Sequence, residues 1–204
     1  MVFSLACGPV VGDVDGRGSA DESGGGSTGI DNGDPATGPD DVATGTPIPE
    51  PRLDLSGAYL FAVAAVIAPE TPLQWRATVV QDLDTGELTI VLQPLSLDPL
   101  STTSPREPTG EPRVVTATPG PDNTFTLDLG QVYVPGAANP ITGSDINTTL
   151  ALDGVASASD LWCGEVTGSV TTPLQLDLTG STFAFTPVTA TGELPDPVVA
   201  RCPE

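Results

Sequence analysis

The sequence predicts an all-β domain, an antiparallel β-sandwich or up-and-down barrel of about 8–10 strands, preceded by a disordered acidic linker. Three observations carry this expectation. Proline (22) and glycine (23) are frequent in a chain of 204 residues, a mixture that breaks helices and punctuates strands. From Pro51 onward, short segments alternate apolar and polar residues with period two, as strands with one buried face do. Two such runs, 73–79 and 88–92, flank Asp82-Leu83-Asp84-Thr85-Gly86, which is a strong hairpin signal.

Charge narrows the function classes. The formal net charge is −21, from 27 acidic and 6 basic residues. The basic residues are all arginine: Arg17, Arg52, Arg76, Arg106, Arg113 and Arg201. Without lysine or a basic cluster, no nucleic-acid partner is expected, because phosphate binding requires cations that displace counterions. An anionic membrane surface repels such a chain unless a lipid anchors it. The chain has no histidine, which removes Ser-His-Asp and Cys-His nucleophile systems and most catalytic zinc sites. No catalytic residues, cofactor or metal are therefore expected, and the protein is read as a non-enzyme.

The first seven residues, Met1-Val2-Phe3-Ser4-Leu5-Ala6-Cys7, are followed by Gly8 and then by an acidic, glycine-rich tract. Leu5-Ala6-Cys7-Gly8 resembles the attachment site of a bacterial lipoprotein, in which a diacylglycerol is placed on the cysteine after cleavage. On that resemblance residues 1–6 are a truncated signal-peptide remnant, with the rest of the signal expected upstream, and Cys7 is the lipid attachment residue. Read without the resemblance, Cys7 is a chance cysteine near the end of a cytosolic protein.

Residues 7–50 form the linker. From Gly8 to Glu50, 11 residues are glycine, nine are acidic and none is aromatic. Too little apolar surface is available to offset chain entropy, so disorder is expected. A glycine-rich coil of this length spans roughly 35–40 Å, and more under like-charge repulsion. The tract is similar to the tethers of predicted lipoproteins of the myxobacterial type. Two motif matches within it carry nothing. Gly25-Gly26-Ser27-Thr28-Gly29 fits a nucleophile elbow without the strand-to-helix setting or a histidine. Asp13-Val14-Asp15 begins like a calcium loop, but Arg17 and Gly24 stand where oxygen ligands belong.

Residues 51–204 form the β domain. The run 53–67 places Leu53, Leu55, Tyr59, Phe61, Val63 and Ile67 on one parity, and Pro69 and Pro72 close it before a helix can extend. After the hairpin, strands are expected at 114–118, 124–129, 131–134, 146–155, 161–171, 174–178 and 182–186. A phrase recurs: Leu53-Asp54-Leu55-Ser56-Gly57, Leu127-Asp128-Leu129-Gly130 and Leu176-Asp177-Leu178-Thr179-Gly180. It satisfies alternation, with glycine marking a bulge or bend. Its spacing is too irregular for a repeat fold. Asp84-Thr85-Gly86 spells the aspartic-protease triplet, yet lies between Asp82 and Glu87 without a second copy; that chemistry needs two paired carboxylates, so an exposed turn is expected.

With export, Cys163 and Cys202 are expected to form a disulfide that pins the tail to the sheet and stabilises by roughly 3–4 kcal/mol. In a reducing compartment they are two buried thiols instead. The longest break in the β pattern, 98–112, contains Arg106, Glu107 and Glu111, with Arg113 just beyond. These four make it a candidate binding loop, because irregular loops on rigid scaffolds carry function, or a solvated loop that pairs with itself. The connection 135–145 offers Asn139, Ser144 and Asp145 without a metal spacing.

The functional expectation is a lipid-anchored, extracytoplasmic β domain with a non-catalytic binding or structural role at the cell envelope. Anchoring at the outer membrane or cell surface is favoured over the inner membrane. The expected partners are the membrane, through the lipid on Cys7, and an envelope protein, a glycan or a small apolar ligand. The alternative is a lipocalin-like barrel that carries a small apolar ligand, with Tyr59, Phe61, Trp75 and Phe125 lining its cavity.

Overall fold

The computed structural model describes residues 53–158 and 161–203. Cys7, the linker and both discounted N-terminal motifs lie outside the described residues. Ten strands form: β1 (Gly57–Ala64), β2 (Leu73–Gln81), β3 (Leu88–Leu97), β4 (Pro105–Pro108), β5 (Arg113–Ala117), β6 (Thr124–Val134), β7 (Ile146–Ala158), β8 (Leu161–Thr172), β9 (Leu176–Asp177) and β10 (Ser181–Pro187). The only helical segment among the described residues is one short 3-10 turn, Gly136–Ala138. The fold class is all-β, as alternation predicts.

All ten strands belong to one sheet. Its main path is β4-β3-β2-β1-β10-β8-β7-β6, with β5 also pairing β3 and β9 pairing β8. Each neighbouring pair is antiparallel. The first and last long strands meet, Phe61 opposite Phe185 and Val63 opposite Phe183. The sheet therefore curls into a half-barrel around one core. At one edge β5 borders β3 beside β4, and at the other edge lies β6; β5 and β6 are consecutive in the chain, and no ladder joins them among the described residues.

The alternating faces explain the core. Tyr59, Phe61, Trp75, Ile90, Leu127, Leu152, Phe183 and Phe185 all point inward and are buried. The aromatic rings pack on one another: Phe61 stacks on Phe185 at 4.4 Å between centroids, and Tyr59 meets Trp162 at 5.0 Å. Phe125 closes the group edge-on to Trp162 at 5.9 Å. Such offset and edge contacts add about 0.5–1.5 kcal/mol per pair beyond burial.

The recurring phrase has a specific physical basis. In all three copies the aspartate turns back on its own backbone. Asp54 Oδ1 accepts from the Ser56 N–H at 2.9 Å, Asp128 Oδ1 from Gly130 at 2.7 Å and Asp177 Oδ1 from Thr179 at 2.9 Å. These are Asx turns, and each drops its second leucine (Leu55, Leu129, Leu178) into the core. In β6 the turn coincides with a bulge between Asp128 and Gly130. Gly130 takes φ +57°, which glycine adopts without a Cβ penalty. The extra residue flips parity, so Phe125, Leu127 and Leu129 face inward before it and Val132 and Val134 after it. One bulged strand thus replaces the two expected at 124–129 and 131–134.

Three further boundaries differ from expectation. β1 ends at Ala64, and Val66 and Ile67 stand exposed in the turn beyond it. The run expected at 174–178 shortens to a two-residue β9, with Leu174 exposed. Within 98–112 the short β4 pairs with Leu95 and Leu97, because a backbone that folds back along an unpaired edge gains partners for its polar groups.

Cys163 and Cys202 are bonded, with Cα atoms 5.2 Å apart. Cys163 points to the outer face of β8, away from the aromatic core, and is buried there. Leu60 and Ala62 on β1 and Ala184 on β10 are buried on that same outer face. Just beyond β10 the pairing with β1 continues, where Val188 N–H donates to the Ala58 carbonyl at 2.9 Å.

Candidate functional site

The open seam between β5 and β6 contains a cleft. The turn that connects the two strands is closed by Gly120 N–H, which donates to Thr124 O at 2.7 Å, and is tied to β7 by Ala156 N–H, which donates to Asn123 O at 3.0 Å. At the far end they are bridged by a side chain, with Arg113 Nη1 donating to the Gln131 carbonyl at 2.7 Å. Between Arg113 on one edge and Leu129, Val132 and Tyr133 on the other lies a half-open space of about 360 Å³. Its floor is the upper surface of the core, including Phe61, Trp75, Leu92 and Leu150. Glu111 and Pro94 complete the rim.

The rim is polar and the floor apolar. Arg113 Nε is buried and meets no acceptor among the described residues. A buried N–H left unpaired costs roughly 1–3 kcal/mol, so the guanidinium is only partly satisfied by Gln131. Across the cleft, the Tyr133 side chain is 55 % exposed. A hydrogen bond from its hydroxyl to Asp145 holds its pKa above the ordinary tyrosine value, with burial a smaller contribution. Asp145 Oδ1 also accepts from the Gly136 N–H at 2.7 Å, which ties this wall to the 3-10 turn.

The four residues of the candidate loop do not converge. Glu111 and Arg113 line the cleft. Arg106, on β4, turns elsewhere: its Nε donates to Gln74 Oε1 at 3.0 Å and to Thr102 O at 3.1 Å. Gln74 is fully buried and donates to Thr102 O at 2.8 Å. Burial pushes the Arg106 pKa down, partly offset by the charge of Asp196. This group is a strut between β2, the loop and the tail. Glu107 is exposed, and its backbone N–H donates to Ser96 Oγ at 3.2 Å.

The other candidates resolve as structure. Asn139 is 2 % exposed, and its amide donates to Thr142 Oγ1 and Ser144 O, both at 2.7 Å, which closes a turn. Asp84 and Thr85 are exposed in a turn that ends at the buried Gly86, and Asp82 Oδ1 accepts from the N–H groups of Asp84 and Thr85. Among the described residues no group of three or more His, Cys, Asp or Glu is placed to hold a metal.

Of the four aromatics expected around a cavity, Phe61 and Trp75 form the floor of the cleft. Tyr59 and Phe125 belong to the packed core. Alternation could not reveal Leu129, Val132 and Leu150 as cleft residues, because core and cleft floor share one parity. No protein family, curated protein or solved structure matches the chain.

Proposed function

We propose that the protein is a non-catalytic binding domain that takes a small apolar ligand into the cleft between β5 and β6, held at the cell envelope by a lipid on Cys7. The carrying observation is the 360 Å³ hollow whose floor is apolar core and whose mouth is an unpaired seam. Small-molecule sites have this character, concave and mostly apolar with a few polar groups at the rim. The Cys163–Cys202 disulfide supports the exported setting, since such bonds persist in oxidising compartments. Among the described residues no helix is long and apolar enough to cross a membrane, so the proposed attachment rests on Cys7.

Native mass spectrometry of protein purified from its source tests the binding role. A small molecule that co-purifies and is displaced by a neutral apolar dye supports it. Protein that is consistently empty and leaves the dye unbound counts against it. Labelled palmitate tests the anchor: incorporation into the natural protein and not into Cys7→Ala is the expected result, and no label in either removes it.

A further inference from the structure

We propose that the cleft selects a single-chain carboxylate amphiphile, with the Arg113 guanidinium holding the head group and the Phe61–Trp75 floor holding the chain. This rests on the binding role proposed above and specifies its ligand.

The argument begins with the donors of Arg113. Nη1 is committed to the Gln131 carbonyl. Nε has no acceptor among the described residues, and no hydrogen bond ties Nη2 to any of them. Nε–H and one Nη2–H are parallel donors on a single edge of the planar guanidinium, spaced to match the two oxygens of a carboxylate. A head group seated along that edge supplies the acceptor that Nε lacks. Gly130 lies beside Nη2, where a Cβ would touch it at 3.6 Å, so glycine leaves that side of the guanidinium uncovered.

The remaining space fits an alkyl chain. At about 30 Å³ per water, 360 Å³ is room for roughly a dozen water-sized groups. The floor residues Phe61, Trp75, Leu92 and Leu150 carry no ionisable group. Glu111 on the rim sets the selectivity further: it repels a second negative charge, so a monoanion is favoured over a dianion. The net charge of −21 opposes anions at long range, but at ~0.15 M salt that field is screened within about 8 Å, whereas contact with Arg113 is not.

Calorimetric titration with decanoate and with decan-1-ol, at neutral pH, below micellar concentrations and in ~0.15 M salt, tests this. The readout is the ratio of the two affinities, which a general loss of binding leaves unmoved. Natural protein is expected to hold decanoate about tenfold or more tighter than decanol, as a charge-assisted fork implies. In Arg113→Gln the ratio is expected to fall to about one. Arg113→Lys keeps the charge without the fork and is expected to lie between, which preserves the test if Arg113→Gln fails to fold. Equal affinities in the natural protein, or decanoate held as tightly by Arg113→Lys as by arginine, overturn the head-group assignment and leave the cleft in place. Binding of neither ligand overturns both.

Discussion

The centre of the sheet and its two edges are built on opposite terms. In β1, β10 and β8 both faces are covered. Phe61, Phe183 and Trp162 point to the aromatic core, while Leu60, Ala184 and Cys163 on the outer face are 0 to 3 % exposed. At the edges, Val114 on β5 is 62 % exposed and Tyr133 on β6 is 55 % exposed. What bridges the far end of the seam is a single side-chain hydrogen bond, Arg113 to Gln131. The centre is over-determined by packing and a covalent link, whereas the seam is held by a turn and a guanidinium. A binding site belongs in the second kind of place, because ordered packing leaves no room for a ligand and stability is lowest where contacts are sparse.

The largest effects should therefore fall at the centre. Phe183 is fully buried and touches Phe61, Phe125 and Phe185 at ring distances of 6.0 to 6.2 Å. Phe183→Ala is expected to cost about 3–5 kcal/mol in chemical denaturation, as large cavities in aromatic cores do. A cost below that of any seam substitution would break the contrast. Cys163→Ala comes next. Removing a bridge with a sequence separation of 39 is expected to cost about 3–4 kcal/mol on the chain-entropy account. Limited proteolysis of this variant should cut first after β10, where the tail loses its anchor.

At the seam the expected effect is smaller. Gly130 sits at φ +57°, where an L-residue pays roughly 1–2 kcal/mol, and its Cβ would meet nothing closer than 3.6 Å. Gly130→Ala should therefore destabilise by about 1–2 kcal/mol through backbone strain alone. Calorimetric melting checks the size. A loss above that of Cys163→Ala would show that the bulge, and not the centre, organises the barrel.

Much of the fold was legible because alternation reports burial on one face directly. The hairpin around Asp82, the strands 146–155 and 161–171 and the inward parity of Tyr59, Phe61 and Trp75 all follow from period two. The covered outer face of β1 was legible only as an apolar run, since nothing local to Leu60 or Ala62 says what lies over them. Arg113 was visible as one of four charged residues. Its separation from Arg106 was not, because that depends on β4 folding back along β3, a pairing over which the local sequence has little control. The cleft was invisible for a different reason. The turn joining β5 to β6 reads like any hairpin turn, and whether two neighbouring strands pair or splay is decided by the curl of the whole sheet.

The two regions should also respond to opposite ends of the pH scale, with the smallest effects. Asp54 and Asp177 support the strands of the centre, and Asp82 closes the β2–β3 hairpin. All three carboxyls are held below their ordinary value, chiefly by backbone N–H groups: Ser56 for Asp54, Thr85 for Asp82 and Thr179 for Asp177. A depressed carboxyl stabilises the folded state above its unfolded value of about 4 and loses that contribution as pH falls through the lower folded value. Acid should therefore loosen the centre and the hairpin in a window below about pH 4. Tyr133 has the opposite sign. Its pKa is raised by its bond to Asp145, so its contribution is complete below the unfolded value of about 10 and is lost as pH rises through the higher folded value. Alkali should therefore act on the cleft wall. Tyrosine absorbance titration of natural protein and Tyr133→Phe separates the two limbs: the substitution should remove one of the two phenol titrations, leaving that of Tyr59, and leave the acid limb of the melting curve unchanged. An acid limb that shifts with Tyr133→Phe would mean that centre and seam unfold as one unit, and the contrast between them would then be one of packing alone.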